Sequence, residues 1–332
     1  MSHRTAPGIR AVIGHQSTSR RRVGWWAPSR PTWSRSVTDS LPISFSTDRT
    51  LLVALRGWND AGEAASTAVS MIEDEHALDR LVVTIDDEVY YDYGAFRPRI
   101  ENDAEGRRVI RWPGVRIAAA PGDREQRLYT LTGLEPSLRW RSFAAEVVAA
   151  CRLESIERIV IVGALLADAP HTRDIRVSVT SDDPQVRALL GIEASQYEGP
   201  TGIPSVIAEA ARAIGIPVVS LWAAVPHYTS GPETHSPKAT LALLDELAGL
   251  VDVEVDRGEL EREAEAWEER FDDAVAADDE LVAYVRYLEE ARDVMDSDAA
   301  TGDAIAAEFE RFLAKDDDDP DAPRGRRSPD SR

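Results

Sequence analysis

Short apolar runs rich in valine and isoleucine alternate with segments of helical periodicity, and this alternation constrains the possible folds most strongly. The clearest runs are Leu51–Leu55, Ile159–Val162 and Pro217–Trp222, and segments with helix-start residues lie between them. Strands of this composition are typical of parallel sheets that are buried on both faces. Strand–helix–strand units of this spacing form right-handed crossovers. The sequence therefore predicts an α/β fold with a mostly parallel sheet.

Capping and turn residues predict two local features. Asp60 followed by Glu63 is a capping-box pattern, so a helix is expected to begin at Ala61. The segments Val109–Trp112 and Arg116–Ala119 flank a Pro-Gly turn, and we expect them to pair as a hairpin.

The composition excludes several classes of protein. Cys151 is the only cysteine, so neither an intrachain disulfide nor a multi-cysteine metal site can form, which fits a reducing, cytoplasmic location. No apolar run approaches the ~20 residues that cross a bilayer. Motifs for phosphate loops, serine hydrolases and zinc proteases are also absent. We therefore expect no membrane partner, no metal and no cofactor.

The negative charge of the chain is concentrated at its C-terminal end. The formal net charge is −21, and Asp245–Arg332, with 30 acidic and 11 basic residues, accounts for −19 of it. A surface of this sign repels phosphate backbones. Nucleic acid is therefore not an expected partner.

Four regions differ in composition and periodicity. Residues 1–45 are rich in serine, arginine and proline without apolar periodicity, which predicts a disordered extension. Residues 46–255 carry the α/β pattern, residues 256–314 form an acidic helical arm, and residues 315–332 form a disordered tail. The arm has three narrow apolar stripes, which begin at Leu260, Leu281 and Ile305. Because such stripes must be buried, each arm helix should dock on the core or on a second copy of the chain.

Polar residues that core packing does not require follow the ends of the predicted strands. In a parallel sheet these ends share one rim, where crevices bind ligands. We therefore expect the candidate residues of these loops to converge in one crevice. They are Gly57, Asn59, Asp60, His171, Thr172, Arg173, Gly199, Thr201, Gly202, His227, Tyr228 and Lys238.

The loop candidates also have structural explanations, which the sequence leaves open. Asn59 and Asp60 suit the start of a helix. The triplet His171–Arg173 could hold an anion or pair with a neighbouring carboxylate. The turn Gly199–Gly202 opens a helix whose N-terminus could bind phosphate or serve only as a turn.

Two further candidates are ambiguous in the same way. His227 and His235 could be metal ligands, but their spacing matches no known site. Lys238 is the only lysine of the core and lies in the first turn of a predicted helix, where its charge is slightly unfavourable. That position hints at a function, and solvent exposure is the alternative.

Six short motifs in these loops carry a family resemblance. They are Gly57–Gly62, Arg97–Arg99, Gly133–Pro136, Pro170–Arg173, Tyr197–Gly202 and Trp222–Tyr228. In this order they resemble the proteasome assembly chaperone family of the second-subunit type, in its actinobacterial branch. The similarity spans about Leu51 to Val255, and the acidic arm resembles that branch as well.

The resemblance implies a three-layer α/β/α core similar to the nucleoside phosphorylase and hydrolase-like fold. It also implies a role in escorting proteasome subunits, and a homo-oligomer, with a trimer as the expected state. The alternative is a small-molecule enzyme that binds a nucleoside-like ligand in the strand-end pocket. Because fold alone does not decide function, the choice depends on the site. We favour a non-enzymatic role in binding the proteasome or other protein subunits.

Overall fold

The computed structural model describes residues 45–85, 87–121, 127–192, 194–195, 197–231 and 234–296. The strands are β1 (Thr50–Arg56), β2 (Arg80–Ile85), β3 (Arg99–Asn102), β4 (Arg108–Arg111), β5 (Val115–Ala119), β6 (Leu128–Leu134), β7 (Arg158–Ala167), β8 (Val177–Thr180) and β9 (Val218–Pro226). The helices are α1 (Ala64–Glu75), α2 (Asp87–Tyr90), α3 (Trp140–Leu153), α4 (Pro184–Leu190), α5 (Ile203–Ala213), α6 (Pro237–Val251), α7 (Gly258–Ala276) and α8 (Asp279–Asp296).

Seven strands form the central sheet, in the order β2-β5-β6-β1-β7-β9-β8. Strand β1 pairs in parallel with β6 and β7, and β7 pairs in parallel with β9. Strand β5 is antiparallel to both β6 and β2, and β8 is antiparallel to β9. Five of the seven strands therefore run in one direction, which confirms the predicted α/β fold with a mostly parallel sheet.

Helices cover both faces of this sheet. Strand β1 contributes Leu52 and Ala54 to the core under α1 and α6, and Leu51 and Val53 to the core under α3 and α5. Successive side chains of a strand point to opposite faces. A strand in the middle layer must therefore be apolar at every position, which explains the continuous run in the sequence.

Strand β4 pairs with β3, and not with β5 as the sequence suggested. Strands β3 and β4 form a separate two-stranded ribbon, in which Ile100 lies opposite Ile110. Strand β5 instead lies in the central sheet, between β2 and β6. The Pro-Gly turn therefore redirects the chain between two sheets. The predicted hairpin was therefore wrong. Local periodicity is the same in both arrangements and could not distinguish between them.

The packed core extends slightly beyond its predicted N-terminal boundary. Phe45, which the sequence assigned to the extension, is 4% exposed, and its carbonyl oxygen accepts a hydrogen bond from the Thr50 hydroxyl at 3.1 Å. The packed core therefore contains Phe45, one residue N-terminal to the predicted boundary at residue 46. Residues 1–44 and 297–332, which include most of the extension, the third apolar stripe and the tail, lie outside the described residues.

The first two arm helices dock on the core through their apolar stripes. Leu260 and Trp267 of α7 and Val285 and Leu288 of α8 are buried, whereas most of the acidic side chains between them are exposed. Leu260 joins the same apolar cluster as the inner face of α6. Across the described ranges, no helix is both long and apolar enough to cross a membrane.

Candidate functional site

The structure divides the predicted site residues into two groups, so the expectation of a single crevice needs correction. The first group borders a cavity and contains Gly57, Asn59, Gly199, Thr201 and Gly202. The second group lies where the arm meets the rim and contains His171, Thr172, Arg173, His227, Tyr228 and Lys238. Asp60 caps a helix. The reason for the division is that the arm covers part of the rim and binds the polar groups there.

A carboxylate joins three chain segments at the cavity end of the rim. Glu135 follows β6, and its Oε1 accepts hydrogen bonds from Asn59 Nδ2 at 3.2 Å and from the main-chain N–H of Ile203 at 3.1 Å. Its Oε2 accepts the main-chain N–H of Trp58 at 3.3 Å. Glu135 thus links the ends of β1 and β6 to the start of α5.

Two glycines allow this close approach. A Cβ atom on Gly202 would lie 2.1 Å from Asn59 Nδ2, and one on Gly57, whose φ is +138°, would lie 3.1 Å from Glu135 Cβ. The predicted anion site at the start of α5 therefore already contains an anion, because the Glu135 carboxylate binds the Ile203 N–H. A helix N-terminus favours such a negative group.

Asp60 caps a helix, as predicted, but the helix itself begins three residues later than expected. Residues Ala61–Glu63 form a single 3₁₀ turn, and Gly62 and Glu63 have positive φ angles, so α1 begins at Ala64. Asp60 Oδ1 accepts the N–H groups of Ala65 at 2.8 Å and Ser66 at 3.2 Å. Burial raises the pKa of this carboxyl group.

The cavity has a volume of about 1030 Å³ and lies beside α5, over β8 and β9. Its floor includes Ser178 and Thr180 of β8 and Ser220 and Trp222 of β9, and Tyr197 lies at its border. A Cβ atom on Gly163 would lie 2.3 Å from the Trp222 ring, so the glycine makes room for the indole. Aromatic rings and hydroxyl groups border this largely apolar space, which suits a planar molecule with a few polar groups.

His171 is fully buried beneath the arm, and both of its ring nitrogens have partners. Nδ1 lies 2.8 Å from the Tyr228 hydroxyl, which also accepts the main-chain N–H of His171 at 2.7 Å. Burial raises the pKa of Tyr228 to about 12. Nε2 lies 3.1 Å from Asp272 Oδ1 of α7. This arrangement leaves His171 no free nitrogen for acid–base catalysis.

The other basic residues of this group pair with carboxylates of the arm. Lys238 donates to the main-chain oxygen of His171 at 2.7 Å and to Glu268 of α7 at 2.5 Å. Arg173 binds Asp293 of α8 at 2.8 Å, and this contact lowers the pKa of Asp293. Thr172 donates to Glu289, which also lies 3.2 Å from Arg173. The arm thus supplies the neighbouring carboxylates that the sequence left as an alternative.

His227 lies at the edge of the same interface and is partly exposed. Its Nδ1 is 3.4 Å from Asp168 Oδ1, and its ring makes edge contacts with Tyr228 and with Tyr284 of α8. Tyr284 in turn donates to Asp168 at 3.2 Å. Among the described residues, no group of three or more histidine, cysteine or acidic side chains could hold a metal ion.

The sequence did not single out the residues that organise either group. Glu135 belongs to a recognised motif and follows a strand end, and that position was the available signal. The arm residues Glu268, Asp272 and Glu289 lie in a long acidic region, where the sequence provides no means of choosing among them.

The mixed sheet, the helical layers on both of its faces and the rim beneath an acidic arm define a three-layer α/β/α protein. Residues 54–275 match the model of the PAC2 family, and the chain belongs to that family. This match confirms the predicted relationship to proteasome assembly chaperones. A search of curated proteins finds no match.

Solved structures support the same relationship. A PAC2 family protein from Streptomyces avermitilis is 42% identical, with a TM-score of 0.64 and coverage of 72% of this chain and 100% of that chain. A proteasome-assembly chaperone homologue from Mycobacterium tuberculosis is 41% identical, with a TM-score of 0.62 and coverage of 71% and 99%. A Mycobacterium tuberculosis protein of unknown function is 26% identical, with a TM-score of 0.63 and coverage of 83% and 94%.

Proposed function

We propose that this chain is a non-enzymatic, cytoplasmic assembly factor that binds protein subunits, with proteasome subunits as the first candidates. One observation carries the proposal: the arm binds the polar rim residues that an enzyme would need. His171, Lys238 and Arg173 all direct their polar groups to arm carboxylates. The 41% identity to a mycobacterial proteasome-assembly chaperone homologue, over 99% of that chain, supports the same function.

We further propose that the chain acts as a homo-oligomer, with a trimer as the expected state. The α/β core and the docked arm both leave large apolar side chains exposed, among them Ile100, Ile110 and Tyr287. Exposed apolar groups that lie together are typical of protein contact surfaces. The same surfaces suit a protein that associates with other subunits.

The direct test uses the proteasome α and β subunits encoded by the same genome. We expect the purified chain to bind unassembled subunits and to increase the rate at which they form rings, measured by native gel electrophoresis and light scattering. The control reaction replaces the chain with an inert acidic protein at equal concentration. No binding and an unchanged assembly rate would contradict the proposal for proteasome subunits.

The cavity supports a second candidate function, in which the chain binds or converts a nucleoside-like molecule. Its Trp222 ring could stack on a base, and its serine and threonine hydroxyls could bind a sugar. We expect no turnover when the protein is incubated with nucleosides and phosphate and the products are separated by chromatography. Turnover that is lost in Asn59→Ala but kept in His227→Ala would instead assign an enzymatic reaction to the cavity, because only Asn59 borders it.

A further inference from the structure

The β3–β4 ribbon has large apolar side chains that are exposed in the described part of the chain. Ile100 and Ile110 lie directly opposite each other and are 62% and 56% exposed. Trp112 follows Ile110 by two residues, packs against Tyr93 and is still 52% exposed. A two-stranded ribbon is only marginally stable by itself. A partner that covers this face would therefore stabilise the ribbon.

The ribbon also carries a net positive charge, although the protein as a whole is acidic. Residues 97–111 contain five arginines and three acidic residues, a net charge of +2 in a chain of −21. Arg107 pairs within the turn with Asp103 and Glu105, and Arg111 lies 3.5 Å from Glu101. Arg99 and Arg108, at the two ends of the paired strands, are both exposed. An acidic, apolar partner would match this surface.

Helix α8 presents an exposed strip with these properties. Tyr287, Val294 and Met295 are 65%, 67% and 59% exposed. Tyr287 and Val294 are seven residues apart, so they lie on one side of the helix, whereas Val285 and Leu288 are buried. The helix contains six acidic residues and two arginines, a net charge of −4. The strip is therefore apolar and lies on a helix of net negative charge, in which Glu289 and Asp293 pair with Arg173 of the rim.

We propose that the ribbon of one copy of this chain binds the α8 strip of a second copy. The two surfaces match in character, since each has three large exposed apolar side chains, and their net charges are opposite. Both surfaces belong to the same chain, which favours a second copy over an unrelated protein. The inference rests on the proposed homo-oligomer and assigns the surfaces that build it.

The contact joins two different surfaces, so it is heterologous. Such a contact forms a closed ring when the rotation between neighbours closes, and an open filament when it does not. A contact of the isologous kind would use the same patch on both copies and would stop at a dimer. The proposed pairing therefore makes a specific prediction. Two variants, each with a different one of the two surfaces altered, should bind to each other although neither binds to itself.

Two double variants test the surfaces separately. Ile100→Glu/Ile110→Glu alters the ribbon, and Tyr287→Glu/Met295→Glu alters the strip. We expect light scattering to give an oligomer for the unmodified protein and a monomer for each variant, with unchanged circular dichroism. Leu153→Glu is the matched control, because Leu153 is 81% exposed at the end of α3 and should leave the oligomer intact. Serine in place of glutamate provides milder versions if a glutamate variant fails to fold.

Mixing the two double variants tests the heterologous geometry. Each retains one intact surface, so the mixture should form a complex of two chains, whereas each variant alone remains a monomer. A mixture that stays monomeric, or an oligomer that survives both variants, would overturn the assigned surfaces. A monomeric unmodified protein would instead reject the homo-oligomer itself. These results separate the failure of the interface from the failure of the proposed assembly.

Discussion

Replacing Trp267 by alanine should release the arm from the core. Trp267 is 3% exposed, and its ring contacts His171 and Phe271 with centroid distances of 6.4 and 4.9 Å. Truncating a buried tryptophan to alanine costs about 3–5 kcal/mol, which is large enough to open a small docked element. We expect amide hydrogen exchange in α7 and α8 to become much faster while the central strands stay protected.

Two matched variants identify the cause of the release. Trp267→Phe should keep most of the protection, because the indole N–H is buried without a hydrogen-bond partner and its loss removes no bond. Arg173→Ala should have a much smaller effect than Trp267→Ala, since exposed ion pairs contribute little in water. If Arg173→Ala opens the arm and Trp267→Ala does not, charge rather than apolar packing holds the arm.

Replacing Glu135 by alanine should destabilise the rim. Asn59 Nδ2 and the N–H groups of Trp58 and Ile203 would all lose their acceptor. A buried donor without an acceptor costs about 1–3 kcal/mol, and water can reach part of this half-buried site, so we expect a total loss of about 2–3 kcal/mol. Urea unfolding should show a lower midpoint with an unchanged slope.

Glu135→Gln is the matched control for this prediction. An amide oxygen can still accept two of the three hydrogen bonds, so the midpoint should fall less than in Glu135→Ala. Asn59→Ala removes a single donor and should also have the smaller effect. Equal midpoints for Glu135→Ala and the unmodified protein would show that the carboxylate does not hold the rim together.

Most of the fold could be predicted because the buried strands have a strong local signature. The runs at Leu51–Leu55, Ile159–Val162 and Pro217–Trp222 correspond to the parallel strands β1, β7 and β9. The segment Val109–Trp112 has no such signature. Its alternating pattern is compatible with either neighbour, and only the global arrangement of the chain assigns it to the ribbon. Strand pairing is a long-range property, so local periodicity could not resolve it.

The candidate site was predictable in its position along the chain but not in its contacts. Asp60 was expected to cap a helix and does so, because the capping residue and the first turn are neighbours in sequence. Glu135 accepts a hydrogen bond from Asn59, which lies 76 residues earlier in the sequence. Local sequence patterns do not reveal a contact at this separation. A carboxylate after a strand end indicates a rim residue without identifying its donors.

The sequence by itself determined the α/β core and the need for the acidic arm to dock, since both follow from local composition and apolar spacing. Its family was indicated by the resemblance of six short loop motifs. The tertiary structure alone decided what the polar rim residues bind. His171 contacts Asp272, which is 101 residues away in the sequence, and Lys238 binds Glu268, which is 30 residues away. A basic side chain binds whichever carboxylate packs nearest to it, and the packing of distant segments sets that neighbour. The choice between a ligand and the chain's own arm was therefore made only in three dimensions.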